Sequence, residues 1–183
     1  MITCKSAAEA RSAVDAACRI LKQLGVELHP QKTRIVHVRY GFEFLGYRIK
    51  HGERKLYLPE SKIRSQVRQG ALYAYPKEKS ICRFMDRVRQ RTQRRTPLTT
   101  KELIEELNPL VRGWGEYYKR AHVRRLFHRL DGWIVRRIWS HRYKRWRNVG
   151  WKRMPARMLY REYGLVNLID LIPSLSPRKR ESS

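Results

Sequence analysis

Residues 107–146 read LNPLVRGWGEYYKRAHVRRLFHRLDGWIVRRIWSHRYKRW, and this run decides how the chain folds. Val123, Leu126, Phe127, Leu130, Trp133, Ile134 and Ile138 recur at intervals of three and four, the period of a helix with one apolar stripe. The spacing predicts a helix from roughly Ala121 to Arg145 that leaves Arg124, Arg125, Arg129, Arg136 and Arg137 facing outward. Just upstream, Asn108 and Pro109 read as an N-cap and a first helical residue. Leu110, Val111, Trp114, Tyr117 and Tyr118 are then expected to begin a new or kinked segment.

Working outward, Thr99 and Glu102 form a capping box ahead of Leu103, Ile104 and Leu107. Ser80 to about Arg94 suits another helix with Ile81, Phe84, Met85 and Val88 inward, broken at Thr96-Pro97. Three such helices share one core as a bundle. Near the N-terminus, Ser6 and Glu9 make a second capping box, and Ala10, Val14, Ala17, Cys18, Leu21 and Leu24 recur until Gly25. Residues 6–24 are expected as a helix packed on one face. Residues 34–38, the EFLGYRI run at 43–49 and LYL at 56–58 read as three short antiparallel strands, followed by a polar helix from about Lys62 to Tyr73. Pro155 starts a short helix, and VNLIDLI at 166–172 reads as a strand or a docked tail. SPRKRESS lacks an apolar anchor and is expected to be disordered. The predicted fold is α+β and mainly helical: residues 1–75 as a helix with antiparallel strands, 76–172 as a helical bundle and 173–183 as a basic tail.

Charge narrows the function. The chain holds 42 Lys and Arg against 16 Asp and Glu, a formal +26 in 183 residues, and between Lys119 and Arg153 there are 13 bases against the single acid Asp131. So dense a field calls for a polyanion, and aromatics interleaved with arginine at helical spacing suit RNA. No apolar run approaches the roughly 20 residues that span a bilayer, so no membrane partner is expected. Nor does anything suggest a small-molecule substrate. Cys4, Cys18 and Cys82 are odd in number, far apart and without a CxxC pair, which points to a reducing compartment rather than disulfides or zinc. With no secretory or transit pattern at residues 1–20, a bacterial cytoplasm is expected, an organelle being the alternative. His29, His37, His51, His122, His128 and His141 fit no metal spacing.

Two ordered motifs resemble the reverse transcriptase and maturase encoded by group II introns. LGVELHPQKTRIVHVRYGFEFLGYRIK, residues 24–50, resembles the end of the polymerase palm, with the K-T pair at Lys32 and Thr33 and the F-L-G-Y strand at Phe44, Leu45, Gly46 and Tyr47. LNPLVRGWGEYYKR, residues 107–120, resembles the signature of the maturase-specific region, or domain X. The resemblance implies a palm remnant, a helical thumb and domain X, with group II intron RNA as partner. A DNA target, or a separate palm and fingers region, is a second partner that it implies. It also implies Mg²⁺ in the complete reverse transcriptase. The palm's Y-A-D-D hairpin has no counterpart here: ITCKSAAEA resembles the sequence that follows it, and among the sixteen acids only Glu105 and Glu106 are adjacent. A polymerase needs grouped carboxylates to hold its two metal ions. No catalytic residue and no cofactor is therefore expected for this chain, which reads as a maturase fragment. No cysteine pairs or clustered histidines for an H-N-H domain follow Tyr118.

The residues expected to meet nucleic acid follow from both readings. Lys32 matches a lysine near nucleotide phosphates in the related polymerases, and Gly46 and Tyr47 match the primer grip, where glycine admits close backbone approach. Packing of Phe44 and Leu45 under a sheet is the competing account of that strand. Trp114 and Tyr118, four apart, are expected in the core and Tyr117 against bases. Arg112, Lys119, Arg120, Arg124, Arg125, Arg129, Arg136, Arg137, Arg142, Lys144 and Arg145 are the expected phosphate contacts. Trp139, Trp146 and Trp151 read as stacking platforms or core anchors. Three rivals stand beside this reading: one piece of a split or truncated active polymerase, a structural basic protein of ribosomal type, and a decayed remnant that does not fold alone.

Overall fold

A computed structural model describes residues 2–51, 72–144 and 150–173. The first helix, α1 (Ala7–Gln23), begins where the Ser6 side chain accepts from the Glu9 N–H at 3.2 Å, and the Glu9 carboxylate reaches back to the Lys5 N–H at 2.7 Å. It ends in a Schellman turn: Gly25 has φ +69°, Val26 N–H bonds Leu21 O, and Gly25 N–H bonds Lys22 O. Contrary to the expected one-sided packing, no residue of α1 is buried; Val14, Ala17 and Leu21 stay half-exposed and Cys18 is exposed. No described element makes an extended contact with its apolar stripe.

Three antiparallel strands follow in the order β1 (Phe42–Phe44), β2 (Tyr47–His51) and β3 (Leu72–Pro76). The strand expected at 34–38 is a loop running into a 3-10 turn at Val38–Tyr40. Its alternating residues find no sheet edge, and Ile35 and Val36 stay exposed. The third strand comes from Leu72–Pro76, whose first two residues lie where the end of a polar helix was expected. Alternating tyrosines bury Tyr73 against His122, with ring centroids 4.8 Å apart. Residues 56–58 and most of the helix expected at 62–73 lie outside the described residues.

The bundle consists of α2 (Glu78–Arg91), α3 (Thr100–Tyr118) and α4 (Arg124–Tyr143), followed by short helices α5 (Gly150–Arg153) and α6 (Ala156–Arg161). The Thr99–Glu102 capping box opens α3 as expected. Pro109, however, lies inside one continuous helix, and Asn108 is not a cap. The Asn108 side chain donates to Gly164 O at 3.0 Å and accepts from Val166 N–H at 2.9 Å, so it binds the returning tail. The tail, read as strand or docked segment, docks and ends in a 3-10 turn at Ile169–Leu171. Phe84, Val88, Leu103, Ile104, Leu107, Phe127, Leu130, Ile134 and Ile138 form the centre of the core, and Leu159 and Leu168 close it. Gly115 lets the tail sit directly on α3: a Cβ there would lie 2.5 Å from Leu171 Cδ1 and 2.7 Å from Leu168 Cδ2. The fold is α+β, an N-terminal helix and a small antiparallel sheet followed by a helical bundle.

Candidate nucleic-acid interface

The FLGY hairpin is fastened to the end of α3 by three tyrosines. Leu45 and Gly46 both have positive φ, +44° and +79°, as a two-residue type I′ turn demands. Glycine is at ease there and leucine is not. Tyr117 Oη donates to Leu45 O at 2.5 Å, Tyr118 Oη to Gly46 O at 3.2 Å, and Tyr47 Oη to Tyr117 O. A relay stands behind this clasp: Trp114 Nε1–H reaches Ser80 Oγ at 3.4 Å, and Ser80 Oγ lies 2.9 Å from Tyr118 Oη. Gly46 and Tyr47 are therefore engaged with the protein itself. A Cβ on Gly46 would stand 2.8 Å from Tyr118 Oη, so protein rather than nucleic acid makes the close approach. Tyr118 and Trp114 sit in the core cluster as expected, Tyr118 fully and Trp114 in part. Tyr117 is half in solvent, but one ring face stacks on Tyr47 at 5.4 Å.

The cations divide by orientation. Arg125, Arg129 and Arg136, spaced by four and seven, lie on one exposed face of α4, with Arg124 exposed beside them. Arg112 on α3, Arg120 in the α3–α4 connection and Arg142 near the end of α4 are exposed too. Lys32 is exposed in a turn after α1, on a different part of the fold. Arg137, Lys119 and Lys144 are tied to protein partners. Arg137 turns inward and donates to Thr92 Oγ1 at 2.8 Å, Thr92 O at 3.1 Å and Arg89 O at 3.3 Å. Burial, with Arg89 and Arg94 nearby, pulls its pKa below the usual arginine value. Lys119 pairs with Glu116, and Lys144 donates to Arg94 O. Arg145 and Trp146 lie outside the described residues.

Asp131 has a role that the charge count hides. It is buried on α4, its two carboxylate oxygens accepting the Leu168 N–H at 2.9 Å and the Ile169 N–H at 3.2 Å. Burial pushes its pKa up to about 6, against the opposing pull of those two N–H groups. The sequence signal was available: Asp131 stands four residues after Phe127 and three before Ile134, on the buried row. Trp139 proves a core anchor, its Nε1–H donating to Met154 O at 2.9 Å, whereas Trp151 is 58% exposed. His141 is buried with Nε2 at 3.0 Å from Thr96 O.

Among the described residues, no three His, Cys, Asp or Glu side chains group closely enough to hold a metal ion, and no helix is long and apolar enough to cross a membrane. Residues 81–160, from α2 to α6, match the family model for the group II intron maturase-specific domain. No curated protein matches the chain.

Proposed function

We propose that the chain binds group II intron RNA through its maturase-specific domain and stabilises the fold in which the RNA splices. The observation that carries this is the family match over residues 81–160 coinciding with the exposed arginine face of α4. Guanidinium forks suit phosphate, and a folded RNA offers a closely spaced row of it. Catalysis of splicing then belongs to the RNA, and strand synthesis is not part of the proposal, since the acids of this chain are dispersed along it.

The test is a gel-shift titration of a group II intron RNA and an unrelated structured RNA at several salt concentrations, with primer extension in Mg²⁺ alongside. Tighter binding to the intron and no extension are expected. Replacing Arg124, Arg125 and Arg136 by glutamine should flatten the log–log salt dependence by about 2 to 3, at roughly 0.7 to 0.9 per phosphate released. Affinity that ignores salt, or equal affinity for both RNAs, overturns the proposal.

A further inference from the structure

Beside the arginine face of α4 lies an open cleft of about 710 Å³, within the range that binds small ligands. Its floor is α4 and its walls are α5, α6 and the docked tail. Three aromatic side chains, Trp139, Trp151 and Tyr160, line it. Gly132 lies on that floor in the middle of a helix, the costliest place for glycine, and a Cβ there would meet nothing nearer than Arg136 Nη1 at 3.7 Å. Packing does not require this glycine, as Gly115 is required by the tail. What it does is keep the floor of the cleft low.

We infer that this cleft takes one unpaired nucleotide of the bound RNA, base first, with Trp151 as the stacking platform. The inference rests on the RNA-binding reading above and adds the place where a base leaves the stack. Polarity sets the direction of entry. Arg136 is exposed where it lines the cleft, and Lys152 Nζ lies 5.4 Å from the Trp151 ring, so two cations flank the opening. Asp131 lines the interior, where its carboxylate repels phosphate but accepts from an exocyclic amino group. A second copy of this chain is a poor occupant, because each copy carries a formal +26.

The test uses a hairpin RNA with 5-iodocytidine, which carries an exocyclic amino group, in its unpaired loop and a fully paired duplex of the same stem. Irradiation of the complex should crosslink the loop base to Trp151 or Tyr160, mapped by peptide mass spectrometry. Gly132→Leu, which fills the floor with a good helix former, should raise the melting temperature, abolish that crosslink and weaken hairpin binding roughly 10-fold. Trp151→Ala, at an exposed position, should weaken hairpin binding similarly, and both variants should hold the duplex as the parent does. If the parent binds the hairpin but crosslinks elsewhere, and both variants bind it equally well, the cleft is not the site. If the parent binds no RNA even at low salt, the RNA-binding reading falls as well.

Discussion

Asp131→Asn separates the buried acid from the surrounding positive charge. In the folded protein the carboxyl titrates near 6, against an ordinary value of 3.8. The native state therefore binds more protons than the unfolded chain between those values, so the contribution of Asp131 to stability falls as pH rises from about 3.5 to about 7. A rise from 3.8 to about 6 is worth about 3 kcal/mol in full. The open cleft beside the carboxylate admits solvent, and screening reduces this to about 1.5 to 2 kcal/mol. Asparagine keeps the shape and one acceptor for the Leu168 and Ile169 N–H groups but does not titrate.

Urea unfolding of parent and variant across that pH range reads the effect. The formal +26 field relaxes in both proteins as pH rises, so each curve alone mixes several groups; the gap between them isolates Asp131. With stability taken as parent minus variant, the gap should shrink or turn negative by about 1.5 to 2 kcal/mol on going from acid to neutral pH. Parallel curves would refute the reasoning, and a gap that grows with pH would mean the two N–H bonds outweigh burial and hold the carboxyl below its ordinary value.

Three further substitutions test the joints around the site. Gly115→Ala should lose about 1 to 2 kcal/mol by calorimetry, because its Cβ meets Leu168 and Leu171, while Gly113→Ala, with open space around it, should gain about 1 kcal/mol from helix propensity alone. Tyr117→Phe removes the hydroxyl that holds Leu45 O and should cost about 1 kcal/mol, with faster amide exchange confined to the hairpin.

Helix existence was legible because period and caps agreed: Thr99 with Glu102, and the Val123–Ile138 stripe, specify α3 and α4 without outside help. Continuity of α3 was not legible, since Asn-Pro carries a strong local signal for a new start. What overrides it is tertiary: Asn108 spends its side chain on Gly164 and Val166, partners 56 and 58 residues away. The antiparallel sheet was legible, but its first strand was misplaced for a similar reason. Residues 34–38 are rich in β-branched side chains, but only 47–51 has β1 on one side and β3 on the other. Lys32 was expected from the family resemblance and the α4 arginines from residue type and helical spacing, and that spacing wrongly set Arg137 outward. Arg136 and Arg137 are neighbours in sequence, yet a turn of about 100° per residue sends one to solvent and the other onto Thr92.

That division bears on how tightly a basic helix binds RNA. Each arginine counted from sequence suggests a phosphate contact, but a guanidinium already bonded to three protein oxygens, as Arg137 is, releases no counterion when RNA arrives. Arg137 instead holds the end of α2 against α4 and so fixes where the exposed face lies. Asp131 performs the matching task on another face, fastening the tail that walls the cleft. If the proposed RNA binding holds, an interface built this way would draw selectivity from a rigid spacing between a cationic row and an aromatic recess, because two features held by buried polar contacts cannot adjust separately to a differently shaped RNA. Its affinity should then depend more on the shape of the RNA than the net charge implies.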